Sequence, residues 1–322
     1  MTPRLACLAA TQGGVVLRRQ AVAHGYSVTE VERLCRAGTW VRIRRGAYVE
    51  RTLWTVMTAE ARHKAIVHAV ILSLVEPAVA SHVSAGVING LPTWGYDLST
   101  AHVTRGDLHS PRTEAGVQHH AASLWPDDVI EIGGVAATSP VRTAIDMARL
   151  GGFERGVVAA DAAFRLSPDD PEALLRCLDR MRDWPGARDA GRVVEFADPR
   201  SESVGESRNR VAFELAGLPR PVPQDHIVDP STGLIVARVD FHFLEHATIG
   251  EFDGRQKYRG EAQDGLSAAE VVWREKRRED MLRDLGYEVC RVIWPELDMV
   301  GLIRNRFLTA FERASKRRAV LI

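Results

Sequence analysis

The stretch from Ile235 to Lys257 constrains this chain most, because it reads as two strands of one hairpin. In the first strand, apolar Ile235, Ala237, Val239, Phe241 and Phe243 alternate with Arg238, Asp240 and His242. Side chains of a strand alternate between faces, so Asp240 and His242 are expected to point away from the apolar set. In the second strand the same period puts Glu251 and Asp253 on one face. Three carboxylates from neighbouring strands then converge, with Lys257 just past the strand end. Clustered carboxylates repel one another unless a cation sits between them. Oxygen donors of this kind suit Mg²⁺ or Mn²⁺. The competing reading makes Asp240 and Glu251 solvated strand residues ion-paired with Arg238 or Arg278.

This arrangement resembles the PD-(D/E)xK nuclease superfamily, in particular its Vsr-like branch, over roughly residues 198–308. The resemblance implies a restriction-endonuclease-like α/β core and metal-dependent cleavage of a DNA phosphodiester. It implies Asp240 and Glu251 as metal ligands, and Asp253 as a further ligand or water-orienting base. Lys257 would sit near the scissile phosphate. The helix at 203–215 would be the family's first helix, from which Glu206 could hold a metal-bound water, with Glu202 one turn earlier. Lys276, Arg277, Arg278, Glu279 and Asp280 match the family's basic-acidic helix, and residues 287–294 its final core strand. Two positions depart from the pattern. Val239 stands where the family has Pro, and Asp253 where it has Lys. Unless Lys257 or Lys276 supplies the missing charge, the fold would be retained without cleavage.

With 322 residues the chain is too long for one ordinary core, and two or three domains are expected. The 45% hydrophobic and 26% charged content is that of a globular protein rather than a disordered one. Formal net charge is zero, so only the local balance is informative. Residues 1–50 carry eight Arg against three Glu, a net of +5, as a DNA-binding module would. The four Cys (Cys7, Cys35, Cys177 and Cys290) form no CxxC pair, which argues against a zinc-thiolate site and a disulfide framework. Reduced thiols, no signal peptide and no apolar run long enough for a membrane helix lead to the expectation of a cytoplasmic protein without a membrane partner.

The basic segment reads as three helices and a ribbon. Short helices at 5–10 and 18–24 end at glycines, and Ser27-Val-Thr-Glu30 is a capping box opening a third. Val28, Val31, Leu34 and Cys35 are expected on its inner face, with Thr29, Glu32, Arg33 and Arg36 outside. Residues 40–49 form a ribbon turning at Arg45-Gly46. This order is that of a winged helix-turn-helix, whose third helix enters a major groove. Arg33 and Arg36 would read bases, and wing residues Arg42, Arg44 and Arg45 would hold phosphates. A solvated face on a protein-binding domain is the alternative.

Ile43-Arg-Arg-Gly-Ala-Tyr48 at the end of this module resembles the N-terminal domain of AbiEi-type antitoxins of type IV toxin–antitoxin systems. Residues 80–91 and 138–147 are similar to landmarks of actinobacterial AbiEi-like proteins, which often carry a Vsr-like tail. The resemblance implies binding of double-stranded DNA at inverted repeats, with a homodimer on the site, and repression of the protein's own operon. It also implies a cognate nucleotidyltransferase toxin that the antitoxin need not touch.

Between these ends, residues 59–74, 141–149, 155–165 and 171–181 read as helices, and 100–104 and 116–120 as strands. His82, His102, His119 and His120 match no metal-ligand spacing and are read as structural groups. Arg142 and Asp146 are an i,i+4 ion pair, Trp94 and Trp125 core residues, and 184–191 a break. Ser267-Ala-Ala-Glu270 is a second capping box opening a long helix that ends before Gly286. The expected architecture is therefore an α/β multidomain chain. It comprises a winged helix (1–52), a middle AbiEi-like α/β domain (53–197) and a C-terminal Vsr-like nuclease core (198–322). Two functions from different classes are then in view: a DNA-binding regulator of antitoxin type, or a metal-dependent endonuclease delivered to DNA by the winged helix. A protein-binding scaffold with a decayed nuclease fold is a third.

Overall fold

The computed structural model describes residues 1–74, 77–254 and 268–320. Mixed α/β, with three sheets among the described residues, the chain divides into two compact units, Met1–Ala197 and Asp198–Ile322.

The first unit begins with α1 (Pro3–Thr11), β1 (Val16–Leu17), α2 (Arg18–Ala23), α3 (Val28–Arg36), β2 (Trp40–Arg44) and β3 (Ala47–Glu50). The strands form an antiparallel sheet in the order β1-β3-β2. Sequence alternation cannot reveal β1, because two residues carry no period. The capping box closes as expected: Glu30 N–H donates to Ser27 Oγ at 3.1 Å, and Ser27 N–H to Glu30 Oε2 at 2.7 Å. Leu5, Ala21, Val31, Trp40 and Tyr48 form a core under α3. Val28, expected on the inner face, is 44% exposed, because it is the first residue after the cap and lies a turn short of that core.

Next come α4 (Arg51–Val56) and α5 (Ala59–Ser73). Leu17, Ala47 and Val49 on the small sheet pack with Ala65 and Ala69 of α5. Because one face of the small sheet is buried on α5, the winged segment shares a core with the middle of the chain.

A six-stranded mixed sheet completes this unit: β4 (Val79–Ala80), β5 (Ala101–Arg105), β6 (Arg112–Glu114), β7 (Val117–Ala121), β8 (Val129–Ile132) and β9 (Val135–Thr138). Its order is β6-β7-β5-β4-β9-β8. Helix α6 (His82–Asn89) comes directly after β4, and α7 (Pro140–Gly151), α8 (Phe153–Arg165), α9 (Ala173–Arg180) and α10 (Ala187–Phe196) come after the sheet. Of the break expected at 184–191, residues 184–186 are part of the turn between α9 and α10, and 187–191 belong to α10. Gly186 adopts φ +80° to turn the chain, and Ala187, Ala190, Val193 and Phe196 are buried behind it. Glycine and alanine here serve close packing, not a linker.

The second unit runs α11 (Val204–Leu215), β10 (Val222–Val228), β11 (Ile235–Phe243), β12 (Thr248–Asp253), α12 (Ala268–Asp284), β13 (Glu288–Ile293) and α13 (Val300–Val320). The sheet order is β10-β11-β12-β13, with β12 and β13 parallel and the other pairs antiparallel. A Cβ on Gly205 of α11 would lie 2.0 Å from the Phe252 ring, so glycine is what lets α11 reach β12. The single apolar face expected for β11 is divided. Ala237 and Val239 pack with Ile227, Ile249 and Leu282, whereas Phe241 and Phe243 pack with Phe213 and Phe307. The division falls at Asp240. Opposite it, Gln224 adopts φ +54° and the β10–β11 ladder omits the Gln224–Asp240 pair. A left-handed residue interrupts the pleat, and the period of two does not carry across it.

Candidate DNA-contacting face and buried ionisable clusters

Arg33 and Arg36 lie on the exposed face of α3, beside exposed Thr29 and Glu32. Arg42 and Arg45 are exposed on the ribbon. Arg44 is partly buried, and its Nη1 donates to the Ala115 carbonyl at 3.1 Å. Burial lowers its pKa. Four of the five expected arginines therefore face solvent together on one small module, and the fifth ties the wing to the β6–β7 turn.

In the second unit, Asp240 sits at the interruption of β11 with both carboxylate oxygens occupied. Oδ2 accepts the Phe252 N–H at 2.8 Å, and Oδ1 accepts Gln224 Nε2 at 3.3 Å. The same Gln224 Nε2 donates to Glu206 Oε2 at 2.8 Å, linking α11 to β11. Glu206 also accepts the Ser203 hydroxyl and the Glu202 N–H, 2.8 and 2.9 Å away. It thus closes the N-terminus of α11 as well as facing the cluster. Glu251 is partly buried, with its Oε1 enclosed; that oxygen is 3.3 Å from Arg278 Nη1 but has no aligned hydrogen bond among the described residues. Burial first, and the Asp240 charge second, push the Glu251 carboxyl up to about 7. Burial also raises Glu206, against its hydrogen bonds, with Asp240 adding to the rise.

Asp253 ends β12, half-buried. Among the described residues, Asp240, Glu251 and Asp253 are not gathered as one tight donor set. His242, expected to face outward with Asp240, is instead buried; its Nδ1 lies 2.7 Å from Asp225 Oδ2 and its ring is edge-on to Tyr287. Glu202 pairs with Arg238 rather than joining the cluster. Lys276 is exposed on α12. Lys257 and Ser267 lie outside the described residues.

The first unit holds two further clusters. Arg142 is 1% exposed between Asp128 and Asp146, with Nη1 2.6 Å from Asp128 Oδ2 and Nε 2.9 Å from Asp146 Oδ2. The expected i,i+4 pair is thus one edge of a network that adds Arg149 and Arg180. The Arg142 and Arg149 guanidinium carbons lie 4.8 and 5.2 Å from the Trp184 ring centre. Beside this network are His82, His102 and His120, one donor atom from each lying within 4.8 Å of the others. Burial holds all three neutral: His82 well below its ordinary value, His102 down to about 4 and His120 to about 2. Sequence spacing did not show this trio. Its members come from α6, β5 and β7, and the one available signal was that His102 and His120 are histidines on two short strands. His119 is buried apart from it.

Comparison with known proteins bears on the N-terminal module. Residues 3–51 match the family model described as transcriptional regulator, AbiEi antitoxin. The matched stretch spans α1 through β3, whose order is compatible with a winged helix. Two Mycobacterium tuberculosis proteins, each described as uncharacterized, are 28% identical to the chain over 162 residues, which is 50% of this chain and 56% of each relative. The chain thus matches about half the length of these curated relatives. No described helix is long and apolar enough to cross a membrane.

Proposed function

We propose that this protein is a DNA-binding transcriptional regulator of antitoxin type. The match of residues 3–51 to the AbiEi regulator family, on a segment carrying nine Arg against three Glu, carries the reading. In it, α3 enters the major groove, Arg33 and Arg36 meet base edges, and Arg42 and Arg45 meet phosphates. Arg44 holds the wing in place through Ala115 instead of meeting DNA. The protein binds inverted repeats near its own promoter as a homodimer in the cytoplasm. It represses an operon encoding a nucleotidyltransferase toxin that it need not touch. The test is a gel-shift titration of the full chain on its own upstream region, with a reporter driven by that region. Shifted DNA and a reporter that rises on deletion of the gene support the reading, and a silent reporter with no shift removes it.

A second reading makes the Asp198–Ile322 unit a metal-dependent endonuclease with a Vsr-like core. The observation favouring it is Glu251, a partly buried carboxylate raised to about 7 whose enclosed Oε1, 3.3 Å from Arg278 Nη1, has no aligned hydrogen bond among the described residues. That oxygen fits a hard divalent cation. Asp240 and Glu251 would hold Mg²⁺ or Mn²⁺, with Asp253 as a further ligand. Such an ion supplies Lewis-acid stabilisation and lowers the pKa of bound water. Glu206 would orient water from α11, and Lys257 would offset charge at the phosphate. Incubating the protein with supercoiled plasmid and Mg²⁺ or Mn²⁺ decides it. Nicking that Glu251→Gln abolishes supports an enzyme, and intact plasmid leaves the unit a DNA-gripping or structural fold.

A further inference from the structure

We propose that His82, His102 and His120 form a binding site for a zinc-class divalent ion, with its open coordination position on the adjoining cavity. The six-stranded sheet builds the site. His102 lies on β5, and His120 on the neighbouring parallel strand β7. His82 opens α6, immediately after β4. The backbone around His102 is fixed from both sides: its N–H donates to Ser84 Oγ at 2.8 Å, and its carbonyl accepts the Ser81 N–H at 3.1 Å. Three imidazoles without a thiolate or a clustered carboxylate are the donor set of an open zinc site.

The distances are close to what an ion needs. A tetrahedral zinc with Zn–N bonds of about 2.0–2.1 Å holds its nitrogens roughly 3.3–3.4 Å apart. His102 Nδ1 and His120 Nε2 are 3.0 Å apart, joined by an N–H···N hydrogen bond. Moving them a few tenths of an ångström admits an ion. The donor ring then adopts its other neutral tautomer, so no net proton is released. His82 needs the larger change. Its ring stacks on His120 with centroids 3.6 Å apart and planes 13° apart, and stacked rings cannot both aim lone pairs at one ion. Rotation of His82 brings the third nitrogen in.

Two independent features mark the His82 position. His82 has φ +50°, a left-handed conformation that costs free energy in a non-glycine residue and is held by the surrounding structure. His82 and His120 also line a cavity of about 540 Å³ that gives an ion a path in. Outer partners are in place as well. His82 Nδ1 is 3.1 Å from Ser81 Oγ and His82 Nε2 is 3.9 Å from Asp146 Oδ1, so whichever ring nitrogen turns to the ion, the other has a polar neighbour. Such contacts orient a ligand ring. The guanidiniums of Arg142, Arg149 and Arg180 in the adjacent network are offset by the three carboxylates of Asp127, Asp128 and Asp146, so the ion meets no net surplus of positive charge there.

The experiment is calorimetric titration of the chelator-treated full chain with Zn²⁺, with Co²⁺ substitution read by visible absorption. The expected result is one tight Zn²⁺ per chain and a tetrahedral Co²⁺ spectrum without a thiolate charge-transfer band. His102→Ala and His120→Ala should each weaken Zn²⁺ about 100-fold or more. Asp240→Asn/Glu251→Gln should leave it unchanged, separating this site from the carboxylates. If an alanine variant unfolds by circular dichroism, the glutamine variant at the same position replaces it, and the wild-type stoichiometry and spectrum still test the site. Absence of saturable Zn²⁺ uptake overturns the proposal. So does uptake that persists at full affinity in both histidine variants, or a Co²⁺ spectrum dominated by thiolate.

Discussion

The two units manage buried charge in opposite ways. In Met1–Ala197 the buried carboxylates Asp128 and Asp146 are matched by Arg142, Arg149 and Arg180, and the buried histidines are neutral. Surplus positive charge sits outside, on Arg33, Arg36, Arg42 and Arg45. In Asp198–Ile322, Gln224 links Glu206 to Asp240, the Asp240 charge also acts on Glu251, and both glutamates are raised. The first arrangement suits a stable frame that presents cations to DNA. The second stores repulsion that a cation, protonation or substitution relieves. Buried groups of this kind concentrate at functional sites.

The comparison is easiest to break at Arg142. Arg142→Met removes the shared partner of Asp128 and Asp146 and should destabilise the first unit by about 3–5 kcal/mol. Urea unfolding followed by hydrogen exchange measures it. A loss below about 1 kcal/mol, the scale of a surface pair, would mean that the network is not what balances these acids.

Next in size is Glu251→Gln. A carboxyl raised from 4.5 to about 7 binds more protons folded than unfolded, so its contribution to stability is greatest below pH 4.5 and falls as pH rises through 7. The substitution should stabilise the second unit by on the order of 3 kcal/mol at pH 8, with no gain near pH 4. The histidines carry the opposite sign. Their folded values lie below the ordinary 6.5, so the unfolded chain takes up protons first, and their stabilisation is lost as pH falls from 6.5 toward 4. Acidification from pH 7 to 5 should therefore weaken exchange protection in the first unit and strengthen it around β11 and β12. The same sign in both units would end the contrast.

A smaller effect sharpens it at the surface. In buffer without divalent cations, Arg33→Ala/Arg36→Ala should weaken specific DNA binding by about 1–3 kcal/mol for each base-reading Arg removed, while Glu251→Gln should not change it. The smallest effect separates two wing residues. Arg42→Ala should lower the salt dependence of binding by about one counterion, and Arg44→Ala, whose side chain is held by Ala115, should not. Equal slopes for the two variants would place Arg44 on DNA after all.

Much of the architecture was written locally. The Ser27-Glu30 box set the start of α3, Arg45-Gly46 set the turn between β2 and β3, and alternation set β12 with Glu251 inside it. These features depend on neighbours within a few residues, which a sequence displays. The sequence led to the expectation that Asp240, Glu251 and Asp253 converge; the Asp240 charge does act on Glu251 and on Glu206, but the three strand carboxylates are not one tight donor set among the described residues. Tertiary structure alone decided the rest. It turned β11 at Asp240 through the left-handed Gln224, divided one expected apolar face between two cores, and held the Arg44 side chain against the Ala115 carbonyl. It also gathered His82, His102 and His120 from three elements that no spacing rule connects. Burial is the common reason: whether an acid stays charged or a histidine neutral is set by what packs over it, and that is not a property of its neighbours in the chain.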